Sequence, residues 1–531
     1  MSLFSMRGLQ IALVAGIFLN IIPYELEGQT IDRTLAPNPL NEGIAKSVED
    51  QIGAGRGDIH TPGSSAYIIA RDPFRAVRRG RQLFQRKFYR QDGTGAYLRN
   101  GTGDIVKAAE IGAGLTDSCA ACHSRPRGSA GFGGAVATRP DSRDAPHLFG
   151  LGLKEMLADE ITADLRESRQ RALIRAKASE QNVTLELLSK GIHYGSITAT
   201  PAGSFDTTKV QGVNPDLRVR PFFLQGGTMS IREFVIGALN AEMGMQGWDG
   251  EMVEICTNGG RLTTTAGMVL DSWIDQIEVP PSLDAYAVAV GTPGRNQVAV
   301  ALVDYLEFYL LNYFKPGIHE QNMRTTNGRR LLENIGCTSC HLPDLQITRD
   351  RRVADVETVY DPEKGGMNRL FATAVPKFVE VKDAGGQPSI KKPAGGPFLV
   401  KNIFSDFKRH DLGANFHERN YDGSMQKEMM TMPLWGVGTS APYGHDGRSV
   451  GLAEVILRHG GEAQSQRDRF ASLTAEQRGD IVEFLNSLVL FPPDDTASNL
   501  DPGDRSVPGY PQNGHGSIKL AVLFNDPKEP E

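Results

Sequence analysis

The chain has no basic run and no basic excess: 57 Lys and Arg stand against 63 Asp and Glu in 531 residues, a formal net charge of −6. That excludes a nucleic-acid footprint, which needs a cationic stripe or patch. A membrane span of about 20 apolar residues is not evident at the N-terminus either. There the apolar run covers only residues 9–22, preceded by Arg7 and followed by Pro23. Such a run reads as a secretory signal peptide. The following Tyr24-Glu25-Leu26-Glu27-Gly28-Gln29 lacks a small-x-small cleavage pattern, so an uncleaved N-terminal anchor is the alternative. In both readings the body of the chain leaves the cytoplasm. Cysteine is scarce, with five in the chain, so where they fall carries information.

Four of the five fall in Cys119-Ala120-Ala121-Cys122-His123 and Cys337-Thr338-Ser339-Cys340-His341. C-x-x-C-H is the attachment signature of c-type haem. Each thiol adds across a vinyl group to give a thioether, and the adjoining His becomes an axial iron ligand. The competing readings are a redox pair and half a zinc site. Zinc needs further Cys or a suitably spaced His pair, and none sits nearby. Haem is attached to such motifs outside the bacterial inner membrane, which agrees with export to the periplasm. Cys256, in Val253-Glu254-Ile255-Cys256, suits burial and receives no role.

Periodicity predicts an amphipathic helix over residues 75–90 leading toward the first motif, and mostly helix over residues 145–188. Another helix is expected over 297–314, with Val300, Val303, Leu306, Leu310 and Leu311 on one side and Pro316-Gly317 stopping it. Helices are also expected over 327–335, 454–459 and 475–488, the last opened by a Thr474/Gln477 capping box. Residues 343–396 read as a long excursion with a small hairpin. An internal duplication is visible. Gly80-Arg81-Gln82-Leu83-Phe84 precedes the first motif and Gly328-Arg329-Arg330-Leu331-Leu332 the second. Gly226, Ile231 and Glu233 recur as Gly447, Leu452 and Glu454. The fold class expected is mainly α: two tandem cytochrome c-like haem domains with long irregular loops. The divisions are 1–28 (signal peptide or anchor), 29–73 (wrapping segment), 74–318 and 319–492 (haem domains), and 493–531 (irregular tail).

Two strong protein ligands make an electron-transfer haem, whereas one ligand and an open face make a haem that binds an oxidant. His147, His193, His410, His445 and His459 compete for the far side of each iron. The segments Met432-Pro433-Leu434-Trp435-Gly436, Tyr443-Gly444-His445-Asp446-Gly447-Arg448 and His459-Gly460-Gly461-Glu462 are the most informative. Through them the chain resembles the bacterial di-haem cytochrome c peroxidase superfamily, in its di-haem oxidoreductase branch, over roughly residues 80–490.

The resemblance implies that His459 is the distal ligand of the His341 iron, a six-coordinate electron-transfer centre. It puts His445 and Tyr443 close to that haem and leaves His410 to contact a propionate or pack in the core. It also implies a Ca²⁺ bound through the carbonyls of Ser440 and Pro442, since carbonyl oxygen suits calcium. Phe222-Phe223-Leu224-Gln225-Gly226-Gly227 with Glu242-Met243-Gly244 corresponds to the peroxidase segments that carry a distal Glu. Glu242 is therefore the candidate acid–base group beside the His123 iron; a solvated helix-end carboxylate is its plain alternative. Electron donors of the family are small proteins, a cytochrome c or a cupredoxin, and the oxidants are hydrogen peroxide or dioxygen. Several positions depart from the family pattern. Leu224 replaces the tryptophan bridging the two haems; Trp248 and Trp273 are candidates to substitute, with a packing role as the alternative for each. Phe234 replaces a glutamine, which makes the pocket more apolar. Ala238 stands at the repeat position of His459 and cannot bind iron. His147 is a further candidate to close that face, but its spacing from His123 is longer than the family's, which favours a structural histidine. Three functions follow as expectations: peroxide reduction, oxidant-driven oxidation of an organic or protein substrate, and non-enzymatic electron transfer.

Overall fold

The computed structural model describes residues 47–89, 92, 116–123, 130–133, 144–243, 245–247, 249–275, 297–313, 317–318, 321–352, 355–360, 372–377, 379–382, 388–392, 397–419 and 424–490. The signal segment, residues 29–46 of the wrapping segment, the tail and Trp248 lie outside the described residues. The described chain is mainly helical, with small sheets of two or three strands. Its helices are α1 (Val48–Ile52), α2 (Ser65–Arg71), α3 (Pro73–Gln85), α4 (Cys119–Cys122), α5 (Leu151–Ser179), α6 (Ile231–Ala241), α7 (Gly250–Asn258), α8 (Val300–Leu311), α9 (Met323–Asn334), α10 (Leu452–Arg458), α11 (Gln464–Ser472) and α12 (Ala475–Asn486). None is long and apolar enough to cross a membrane among the described residues.

Local chemistry explains the starts. In α3, Pro73 sits at the first turn and Asp72 accepts from the Arg75 amide, so one orphan donor is satisfied and another is absent. In α12 the capping box is present in both directions between Thr474 and Gln477.

Two expectations change. The helix over 145–188 stops at Ser179, and an antiparallel hairpin follows, Val183–Ser189 with Ile192–Ala199, extended by Phe205–Asp206. Val183, Leu185 and Leu187 alternate with polar residues, which is a strand period. Lys190 and Gly191 both take positive φ, the geometry a tight hairpin turn requires. The helix over 297–314 is α8, and it is buried all round from Ala301 to Leu311 rather than on one side. Its Asp304 and Glu307 meet Arg232 of α6 at 2.8 and 2.9 Å, and Asp249 bonds the same guanidinium. Buried charges persist when paired in this way. The excursion after Pro343 holds two hairpins, Asp355–Tyr360 with Ala372–Lys377 and Val379–Lys382 with Pro388–Lys392. Leu345–Ile347 pairs with Phe398–Val400 at its base.

The duplication is visible in the packing. A Cβ on Gly80 of α3 would lie 2.3 Å from the Tyr305 carbonyl of α8, and one on Gly328 of α9 would lie 1.9 Å from the Asp480 carbonyl of α12. Each C-x-x-C-H motif thus follows a helix whose glycine admits a later helix at backbone distance. The second repeated unit matches in finer detail. Phe222 bridges Thr228 around Gly226, and Tyr443 bridges Ser449 around Gly447, both glycines at positive φ. Glu233 accepts from the Met229 amide and Glu454 from the Val450 amide, each at 3.0 Å.

One core gathers α2, α3, α6 and α8, and another gathers α9, α10 and α12. A third joins α5 and the hairpin to Leu345, Ile347, Val400, Phe407 and Trp435. Arg351 reaches back to Glu155 and Asp159 of α5 at 2.7 and 3.1 Å. Burial pushes the Glu155 carboxyl up to about 8 although Arg351 opposes the rise.

Candidate functional site

Both C-x-x-C-H motifs line one cavity of about 940 Å³, near the upper end for ligand pockets, which run from about 300 to 1,000 Å³. In each motif one tight turn carries the cysteines and the histidine, with the His amide bonded back to the first Cys carbonyl at 3.0 Å. Cys119, Cys337 and Cys340 form no disulfide among the described residues. Burial, with Cys122 alongside, pushes the Cys119 thiol up to about 12; burial with Cys340 alongside pushes Cys337 up to about 11. A redox pair would have a depressed thiol, so the electrostatics disfavour that alternative.

Three histidines share one device. The Nδ1 of His123 lies 2.8 Å from the Pro146 carbonyl, that of His341 lies 3.0 Å from Phe404, and that of His459 lies 2.8 Å from Val455. A carbonyl only accepts, so each Nδ1 carries the proton and each Nε2 keeps a lone pair for a metal. Burial pulls all three imidazoles below their usual range, His341 to about 4, and so holds them neutral. A neutral imidazole is the ligating form. His459 follows α10, and its bond to the Val455 carbonyl at the helix end orients the ring. Its first-half counterpart Ala238 lines the same cavity.

The first half surrounds its share of the cavity with Phe222, Phe223, Leu224, Phe234 and Glu242. Phe234 packs against Phe222 and Phe223 at 6.0 and 5.3 Å between ring centres. In the second half, His445 bonds Glu418 through Nδ1 at 2.9 Å, and the Tyr443 hydroxyl donates to the Val437 carbonyl at 2.9 Å. Both residues line the cavity, as do Ser440 and Pro442.

The other candidates separate. His193 sits on the hairpin, half exposed and paired with Glu186, away from this cavity. His410 is bonded through both nitrogens, Nδ1 to Glu462 at 2.8 Å and Nε2 to Asp406 at 2.9 Å. Burial opposes its charge, but the hydrogen bonds to Asp406, Cys340 and Glu462 outweigh it and hold the imidazole at about 11. The cluster Cys340, Asp406 and His410 is close enough to hold a metal; as the chain stands, both His410 nitrogens are taken by Glu462 and Asp406. His147 turns its Nε2 to the Trp435 carbonyl at 3.2 Å, the opposite tautomer to the three ligand-like histidines. It braces the two halves across the cavity. Trp273 is 72% exposed and does not line the cavity.

Trp435, from one of the informative segments, is buried in the wall, whereas Lys154 of α5, 5% exposed, had no sequence signal. Only the burial of the whole first turns of α5, Leu151 to Ala158, reveals the lysine as inward. The residues present fit two haem groups: an apolar cavity, paired thiols beside each ligand-ready His, and a buried ammonium ready for an anionic substituent.

Residues 367–488 match the family model described as "Di-haem oxidoreductase, putative peroxidase", which bears out the resemblance read from the motifs and implies haem cofactors. No curated protein matches the chain. Among solved structures, the chain is similar to hydrazine synthase of Kuenenia stuttgartiensis at 15% identity, over 38% of this chain and 60% of that one, with a TM-score of 0.22. It is also similar to a MauG-like protein associated with microbial copper homeostasis at 11% identity, over 64% of this chain and 91% of that one, with a TM-score of 0.24. Likenesses at these scores carry neither fold nor function.

Proposed function

We propose that this protein is a periplasmic, peroxidase-like di-haem oxidoreductase, built as two tandem haem domains with one c-type haem covalently held in each. Cys119 and Cys122 would anchor the first haem and Cys337 and Cys340 the second, with His123 and His341 as axial ligands. When bound, the haems supply an iron that takes an oxidant at one centre and an iron that stores an electron at the other. The observation that carries this reading is the inequality of the repeats. His459, with its Nε2 free, stands where the first half has Ala238.

The chain's own residues then divide the work. His459 closes the second site and keeps it six-coordinate. Glu242 accepts and returns a proton beside the open first site, a role that needs a carboxylate within hydrogen-bond reach of the oxidant. Phe222, Phe223 and Phe234 keep water from that face. His445 and Tyr443, fixed by Glu418 and the Val437 carbonyl, hold the wall of the second site. A Ca²⁺ bound through the Ser440 and Pro442 carbonyls belongs to the same reading; chelation is expected to lower turnover without releasing haem.

The test is peroxide turnover by exported protein with a reduced small cytochrome c or cupredoxin. Glu242→Gln is expected to lower turnover by about 10²–10⁴-fold while mass spectrometry still finds two porphyrin adducts. Unchanged kinetics would remove Glu242 from the chemistry. The apolar ring cluster over the first site supports a second reading, oxidation of an organic or protein substrate by dioxygen or peroxide. Substrate-dependent oxidant consumption without an electron-donor protein would favour it.

A further inference from the structure

We propose that Lys154 is the counter-cation of a haem propionate in the first half's share of the cavity, positioning that haem and holding its iron at a higher reduction potential. This rests on the di-haem reading above. Lys154 lies on α5, lines the cavity and is 5% exposed. Its ammonium is 5.6 Å from the ring centre of Phe222. Phe222 belongs to the first-half loop that repeats the Tyr443 loop, so the lysine faces the first site. Among the described residues no carboxylate pairs with it. Acidic groups are not lacking on the helix: Glu155 and Asp159 both turn to Arg351 instead.

An isolated buried ammonium is costly. Burial alone pulls Lys154 down to about 7, and no described group pulls it back up. Its neighbour His147 is held at about 3 by burial and by the lysine's charge, and its buried Nδ1 has no hydrogen-bond partner. The Lys154 ammonium therefore lacks an anion among the described residues, while the neutral His147 beside it offers only an acceptor nitrogen. A cofactor with carboxylate side chains supplies one. A cation paired to a propionate offsets negative charge near the iron, which disfavours the ferric state and raises the potential.

Lys154→Met keeps the volume and removes an uncompensated buried charge, so it favours rather than threatens folding. Lys154→Gln serves as a second neutral variant. In exported, substrate-free holoprotein, both are expected to retain two porphyrin adducts by mass spectrometry. In potentiometric titration the haem held by His123 should shift to lower potential and the His341 haem should stay, and Lys154→Arg should restore the wild-type value. Two adducts with both potentials unchanged would overturn the proposal, as would a shift confined to the His341 haem. Unchanged potentials with a raised KM for carboxylate substrates would likewise overturn it and assign the lysine to substrate. Fewer than two adducts in the wild type would instead end the di-haem reading itself.

Discussion

At the residue scale, the attachment motifs are readable from sequence because thioether formation demands fixed spacing between two thiols and a histidine. The orientation of those histidines is not readable. It depends on carbonyls of Pro146 and Phe404, which lie 23 and 63 residues from their partners. His410 illustrates the limit. Its sequence neighbours suggest a haem contact, but its partners Asp406 and Glu462 make it a buried cation. The linkage has a definite sign. The folded His410 binds its proton more tightly than the unfolded one. Its stabilising contribution is therefore full below the ordinary histidine range near 6.5 and lost as pH rises toward about 11. Denaturation of wild type and His410→Gln at pH 5.5 and 9.5 should show a gap that narrows at the higher pH. A gap that widens would mean the histidine is held neutral.

At the element scale, the paired glycines report a repeated helix crossing. Gly80→Ala and Gly328→Ala each drive a methyl into a facing backbone carbonyl, which no side-chain rotation relieves. Each substitution is expected to cost about 1–3 kcal/mol, the range for overpacking. Gly479→Ala, in α12 itself, meets only the end of the Arg324 side chain at 3.2 Å. It should be neutral or slightly stabilising, because alanine is the better helix former. Thermal denaturation of the three variants decides the point; equal effects would remove the crossing from the account of stability. The helices were legible here because their caps and apolar periods are local. The hairpin after Ser179 was missed because a charged helix runs straight into a strand-period segment, and the 3.6-residue reading was carried too far. The environment of α8 was missed for another reason. Asp304 and Glu307 mimic a solvated face until Arg232 arrives from a helix some 70 residues away.

At the scale of the whole molecule, the two halves meet through many polar ties, among them Glu160 with the Thr348 and Arg349 amides, Tyr194 with the Asp406 carbonyl and Arg409 with Asn214. Arg351 binds Glu155 and Asp159, and the His147 ring donates to the Trp435 carbonyl. Arg351→Met leaves Glu155 buried beside Asp159 with no cation of its own. A loss of about 3 kcal/mol is expected on breaking such a pair, read as a lower melting temperature at alkaline pH, a deficit that shrinks as pH falls below about 8 and Glu155 protonates. The repeated motifs were legible in the sequence, and the cavity they share was not, since it depends on how distant segments pack together.

The inequality of the two iron faces is tested most directly by an EPR spectrum of the ferric holoprotein with a spin state assigned to each haem. One high-spin centre, held by His123, and one low-spin centre, held by His341 and His459, are expected; His459→Ala should convert the low-spin signal to high-spin. Two low-spin irons in every redox state would contradict this and leave an electron carrier in place of an enzyme.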